Sequence, residues 1–424
     1  MRRFLLLVIV VSLGFLAGCG GSGNSTPVGV PPNGGTGNVL AIAVDGGPVA
    51  SSIYPNGAFT SVTICNPGTT TCQTVGGILV DTGSFGLRIL SSAITLTGLQ
   101  TLTSGSSTLY NCINFADGTY LWGTAAVADV EMAGEKASSE TIQVIGDPPP
   151  GTFSIPANCA NGTDDDVQSA LGANGILGIG PEPLDCGAAC DPIGGNQFPP
   201  EPFYYLCPSS GAGTCTPQFV NCGCVSGGGA NQQVANPVVL FPTDNNGTIV
   251  ELTALNGAAA TQPGSLIFGI GTQTNNQVPS SATVFTLDQF DTFSVTYKGT
   301  TYNSSNNTPS FIDLGSNAYF FPDATIPACT DFTSFYCPTS LLSLSAVNLG
   351  TNSATSTVNF SIDNTDNLFS QGGGADAAFS TLGGPNPGGG FDYGLPFFYG
   401  KNVYTAIDGQ AVPSGQPPAP WWAY

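Results

Sequence analysis

The chain has 424 residues, 41% of them hydrophobic, enough for two domains with a core each. Six basic residues stand against 27 acidic ones, a net charge of −21, so the basic footprint that nucleic-acid binding needs is missing. There is no histidine, which removes Ser-His and Cys-His nucleophile activation and every His-ligated metal site.

The chain opens with Met1-Arg2-Arg3 and a nearly all-apolar run from Phe4 to Phe15, too short and too sharply ended for a transmembrane helix. Leu16-Ala17-Gly18-Cys19 resembles the lipobox of bacterial lipoproteins. That resemblance implies a signal peptide over 1–18, cleavage before Cys19 and lipidation of its sulfur. With Gly20 following the cysteine, it also implies transfer to the outer membrane. The stretch 19–37 is mostly Gly, Ser, Pro and Asn, and reads as a flexible tether.

The 58 glycines and 33 prolines argue against long helices, and short alternating runs point to a mostly β chain. An N-terminal β region is expected over 38–180 and a C-terminal one over 237–424. Between them, 181–236 holds six cysteines with little periodicity and reads as a stapled, irregular insertion.

Apart from Cys19, twelve cysteines remain, an even number in an exported chain, which predicts a disulfide framework. Cys65/Cys72, Cys207/Cys215 and Cys329/Cys337 are spaced to staple single loops, and Cys112/Cys159 a longer excursion. Cys186, Cys190, Cys222 and Cys224 are expected to cross-pair, because a Cys222–Cys224 bridge would be strained. Zinc held by these four thiols is the alternative.

Two segments echo each other: Val80-Asp81-Thr82-Gly83-Ser84 and Ile312-Asp313-Leu314-Gly315-Ser316. Each is an apolar run, Asp, one residue, Gly and Ser. A lone Asp-x-Gly is a turn signal, and Asp45-Gly46-Gly47 and Asp392-Tyr393-Gly394 also fit. Only the two longer segments end in Ser, and each has a later apolar-Gly element: Ile176-Leu177-Gly178 and Asp392-Tyr393-Gly394. Paired carboxylates are among the few hydrolytic devices that need no imidazole.

At these residues the chain resembles the pepsin-like aspartic peptidases. Further matches in family order are Gly175-Ile176-Leu177-Gly178-Ile179-Gly180, Leu266-Ile267-Phe268-Gly269 and the segment from Gly394 to Asp408. It is also similar to bacterial lipoproteins with pepsin-like lobes. The resemblance implies a two-lobed double β-barrel with an active-site cleft between the lobes. It implies Asp81 and Asp313 as the catalytic pair, supported by Thr82, Gly83, Ser84, Gly315 and Ser316. Tyr120, Trp122, Gly123 and Thr124 are the nearest match to the family's flap. Arg88 stands where the family has Trp, and a cation there would push the working pH lower. Leu314 replaces a hydroxyl residue, so Thr82 can make the cross-lobe bond but Leu314 cannot return it.

Two readings follow. One is a monomeric, membrane-anchored aspartic endopeptidase that hydrolyses peptide or protein at acidic pH without a cofactor or metal. The other is a pepsin-like scaffold that binds peptide or glycan in its cleft and has lost efficient catalysis. A two-carboxylate glycosidase on another β fold is disfavoured, because its carboxylates need not sit in matched Asp-x-Gly loops. Asp164-Asp165-Asp166 and Asp363 to Asn367 lack EF-hand spacing and read as solvated acidic loops. Trp421 and Trp422 read as packing residues.

Overall fold

The computed structural model describes residues 37–115, 117–147, 154–193, 202–209, 213–224, 230–386 and 389–424. The expected signal peptide, Cys19 and all of the tether except Gly37 lie outside these residues. The chain is mostly β, with 41% strand and 8% helix. Among the described residues, no helix is long and apolar enough to cross a membrane.

In the first part of the chain, Ala58–Cys65 and Cys72–Asp81 form an antiparallel pair closed by the Cys65–Cys72 disulfide. All eight residues of Ala58–Cys65 are buried, which is why that strand reads as a continuous apolar and hydroxyl run. The long strand Thr119–Met132 pairs with Ser107–Asn114 on one side and Glu135–Ile145 on the other. Val62, Ile78, Val80, Leu87 and Ile142 join a core that continues through Leu266, Phe320, Tyr393 and Phe397 of the second part.

One arrangement occurs twice. Gly175–Ile179 runs parallel to Cys72–Asp81 and antiparallel to Phe85–Leu90, with Gly178 opposite Asp81. Asp392–Tyr393 runs parallel to Phe311–Ile312 and antiparallel to Tyr319–Phe320. Both apolar-Gly elements therefore lie beside an Asp loop, and their glycines are needed for close approach. A Cβ on Gly178 would fall 2.6 Å from Phe85 N, and one on Gly394 only 2.2 Å from the Ala318 carbonyl oxygen.

The two parts are stitched together by backbone. The first strand, Val39–Val44, pairs with Gln262–Phe268, so a strand expected in the N-terminal region joins a sheet built from the C-terminal one. That sheet continues through Gly247–Leu252, Asn402–Ala406, Trp421–Ala423 and Val284–Thr286. Trp421 and Trp422 are fully buried in it, as packing residues.

The insertion is more regular than its composition indicates. Tyr204–Pro208 pairs with Ser107–Asn114 and thereby extends the first sheet. Its cysteines also depart from expectation: Cys186 pairs with Cys190 and Cys222 with Cys224, rather than crossing. Gly223 supplies the reason, since its φ of +69° turns the chain so that the flanking sulfurs meet. The other four pairs, Cys65–Cys72, Cys112–Cys159, Cys207–Cys215 and Cys329–Cys337, are as expected.

Asn56 is the polar counterpart of this stitching. Its amide donates to the carbonyl oxygens of Asn317 (2.8 Å) and Phe379 (2.9 Å). Its oxygen accepts from Phe379 N at 2.7 Å and from the Tyr399 hydroxyl at 3.0 Å. Asn56→Ala removes these partners and leaves buried groups unpaired, so it is expected to destabilise by about 2–4 kcal/mol in urea denaturation. A loss within error of zero would show that the Asn56 bonds do not hold the two parts together.

Candidate active site

Asp81 and Asp313 meet in the interior, each with no exposed surface. Each is held by its own loop in the same way. Gly83 N donates to Asp81 Oδ1 (2.7 Å) and Gly315 N to Asp313 Oδ1 (2.8 Å). The Ser84 hydroxyl donates to Asp81 Oδ2, and the Ser316 hydroxyl to Asp313 Oδ2 at 2.8 Å. The glycines then let each loop close on the opposite carboxyl. A Cβ on Gly83 would lie 2.6 Å from Asp313 Cγ. One on Gly315 would lie 2.5 Å from Asp81 Oδ1 and 3.2 Å from Asp313 Oδ1, so both inner oxygens converge on one point. Each carboxyl is close enough to act on the proton affinity of the other.

The tie across the pair is one-sided, as the sequence predicts. The Thr82 hydroxyl accepts from Leu314 N at 2.9 Å and faces the Ile312 carbonyl oxygen at 3.5 Å. Leu314 has no hydroxyl to return, and its side chain is in the core.

Burial raises the pKa of both carboxyls. For Asp81, donors from Asp313, Ser84 and Gly83 oppose that rise. For Asp313, the charges of Asp81 and Asp392 add to it. The pair therefore shares a proton and titrates as one unit. The sequence reading places Asp392 in the apolar-Gly element after the second Asp loop and gives its carboxyl no role. The available signal was an acid at the place where the first copy has Ile176.

The expected flap residues sit elsewhere than at a tip. Tyr120, Trp122, Gly123 and Thr124 belong to the strand Thr119–Met132, which returns from the hairpin. Trp122 stacks on Tyr110 with ring centroids 5.1 Å apart, and Gly123 passes so close to Val144 that a Cβ would meet its oxygen at 2.0 Å. Where the hairpin turns, Gly118 N donates to the Phe115 carbonyl oxygen. The Asp117-Gly118 pair was the readable turn signal. Phe115 joins Tyr54, Ile113, Leu121 and Ile176 in one apolar cluster. The Tyr54 hydroxyl is buried without a partner, and burial followed by the charges of Asp117, Asp81, Asp313 and Asp165 raises its pKa.

This hairpin is held on both edges. Tyr204–Pro208 pairs with one strand, Thr163–Asp164 with the other, and Cys112–Cys159 ties it to the segment beyond. In the acidic run that follows, Asp164 is exposed, but Asp165 and Asp166 are buried rather than solvated. Asp166 Oδ1 accepts from Trp122 N at 2.8 Å, and burial pushes Asp165 up to about 7 and Asp166 to about 8. In the second acidic stretch, Asn364 caps the helix Thr365–Ser370. One cluster of metal-type ligands occurs among the described residues, Cys329, Cys337 and Asp366, and its two sulfurs are joined in a disulfide.

Arg88 does not line an open cleft. It is fully buried, with its guanidinium 3.2 Å from Asp185 and hydrogen-bonded to Asn111, Gln143 (2.7 Å) and the Phe85 carbonyl oxygen (3.3 Å). The Tyr204 hydroxyl completes the set with a 2.7 Å bond to Asp185. Its charge is matched by Asp185, and the balance at Asp81 is an upward shift led by burial, not the lowering expected of a cation there. Arg88→Met leaves Asp185 buried without its partner and is expected to cost about 3–5 kcal/mol. Arg88→Met with Asp185→Leu should recover most of that loss in the same denaturation experiment, and no recovery would show that the pair is not a self-contained unit.

Comparison with curated proteins finds no match. A family profile described as "Protein of unknown function (DUF3443)" matches residues 34–424, a span that contains both Asp loops, the insertion and the shared sheet. The chain belongs to this DUF3443 family.

Proposed function

We propose that this chain is an exported aspartic peptidase-like hydrolase with two pepsin-like lobes, acting through Asp81 and Asp313. The observation that carries the reading is the convergence of two buried carboxyls on one point from matched loops. The ionised carboxyl takes a proton from a water lying between the pair. The protonated one donates to the carbonyl oxygen of the scissile amide as water adds. The tetrahedral species collapses, the amine leaves with a proton from the pair, and no covalent enzyme intermediate forms.

The pair works only while it holds one proton. Burial raises both carboxyls, so that proton is retained further up the pH scale than on an exposed pair. The rate should fall at low pH, where both carboxyls are protonated, and fall again as pH rises through the raised upper value. Asp81→Asn is expected to lower cleavage of an unfolded protein by roughly 10²–10⁴-fold across the acidic range. Equal, negligible cleavage by wild type and variant would leave the second reading, a scaffold that binds peptide or glycan. The missing hydroxyl at Leu314 and the hairpin held on both edges favour that second reading.

Export is supported by the pairing of all twelve cysteines other than Cys19. Anchoring at the outer membrane rests on the lipobox alone. Cys19→Ser should move the protein from the membrane to the soluble fraction, and an unchanged membrane fraction would remove lipidation from the proposal.

A further inference from the structure

Glu140 lies in the strand Glu135–Ile145, one residue after Ser139, whose φ of +54° bends the chain. It stands opposite Ala128, and Ile142 stands opposite Ala126. Alternation puts Glu140 on the face that carries Ile142 and Val144 into the large core, where Ala128, Val238 and Phe241 also pack. Its side chain is 1% exposed, and neither carboxyl oxygen has a hydrogen-bond partner among the described residues. The proposed chemistry makes no use of it.

The strand has a seam at this point. From Gln143 to Ile145 it pairs in parallel with Arg88–Leu90, on the strand after the first Asp loop. Before Gln143 that pairing ends, and the chain at 234–241 takes its place. Ala235 N donates to the Thr141 oxygen at 3.4 Å, and the turn Pro237–Leu240 packs on the strand. The same segment reaches the first Asp loop. Asn236 Nδ2 donates to the Gly180 oxygen at 3.0 Å, and Gly180 N to the Ser84 oxygen at 3.0 Å. A Cβ on Gly86 would lie 2.4 Å from Val234 Cγ1.

We infer that Glu140 is a pH-sensitive latch: uncharged, it lets the strand Glu135–Ile145 and the segment 234–241 close over it, and ionised, it loosens that seam. A buried carboxylate without a donor is among the costliest groups a protein interior can hold, and water admitted at the seam relieves it. The latch stands whether or not Asp81 and Asp313 are catalytic; its bearing on the site rests on that reading. Among the described residues, the elements around Glu140 bring no cation to its carboxyl. On its own strand, Glu135 bonds Thr243, and Lys136 pairs with Asp129 and Glu131. On the facing strand, Asp129 also accepts from Ser139 N. The turn Pro237–Leu240 carries no titratable residue. Arg88, opposite Gln143, is closed on Asp185. Burial raises the Glu140 pKa well above the ordinary carboxylate range.

Below the unfolded value of a glutamate, about 4.3, the carboxyl is neutral in both states and costs nothing. Between there and the raised folded value, the unfolded chain gives up its proton while the folded one keeps it, so stability falls as pH rises. Wild type, Glu140→Gln and Glu140→Leu are compared by urea denaturation from acid to neutral pH. A difference that is the same at every pH is the cost of the new side chain itself. Beyond it, the unfolding constant of wild type should rise relative to that of either variant by up to about tenfold per pH unit. A ratio that does not change with pH overturns the inference. Glu140→Leu covers the case in which the buried amide of the Gln variant prevents folding.

Hydrogen exchange separates a latch from a general loss of stability. At neutral pH the amides of 234–241 should exchange about tenfold or more faster in wild type than in Glu140→Leu. Those of Leu342–Leu349 and Thr355–Ile362, a hairpin in another sheet, should change less. In acid the gap at 234–241 should shrink. Equal acceleration in both places, or none at 234–241, would show that Glu140 is not a latch. Neither measurement uses cleavage, so a wild type without peptidase activity ends the catalytic reading and leaves this test intact.

Discussion

The structure depends on keeping carboxyl groups out of water without cations to pay for it. Asp81 and Asp313 are fully buried, and no lysine or arginine reaches either of them among the described residues. What holds them is local: one backbone N–H and one hydroxyl from the same tight loop. Those donors give each carboxyl oxygen one partner from its own loop and leave the two carboxyls facing each other. Two such groups cannot both ionise, so sharing a proton is the low-energy arrangement. The glycines at 83, 178, 315 and 394 follow from the same constraint, because any side chain there would enter a carboxyl or a neighbouring backbone.

Arg88, the one buried cation among the described residues, serves a different purpose. Arg88, Asp185, Asn111, Gln143 and Tyr204 form a closed polar set that joins the strand after the first Asp loop to the insertion. Buried polar sets of this kind specify a unique packing more than they add stability. Here the set fixes where Tyr204–Pro208 lies, and that strand in turn supports one edge of the hairpin beside the site. The hairpin is therefore part of the sheet rather than a free flap, and the insertion is a structural element of the site.

The two halves are alike in backbone and unlike in chemistry. Both place an Asp loop beside a glycine-containing strand with the same parallel and antiparallel neighbours. The first half backs its Asp with Ile176, and the second with Asp392. The first contributes the Thr82 hydroxyl to the tie across the pair, and the second only a backbone N–H. A symmetric frame with asymmetric polar groups gives the two carboxyls different surroundings.

The sequence by itself determined the β character, the two Asp loops and their glycines, and four of the six disulfides. These are local properties: turn chemistry, alternation, close approach at glycine and short spacing between cysteines. It also determined the one-sided tie at Thr82, since a leucine has no hydroxyl in any fold. Only the tertiary structure decided which residues flank the pair. The match of Tyr120, Trp122, Gly123 and Thr124 to a flap did not say whether they lie in a strand or at a turn, and neighbouring strands decided that. Arg88 was read as a free charge because its partner, Asp185, lies far along the chain. Asp392 was given no role of its own because its burial comes from strands that meet only after folding. A side chain's protonation depends on what surrounds it in space, and that information is not carried by its neighbours in sequence.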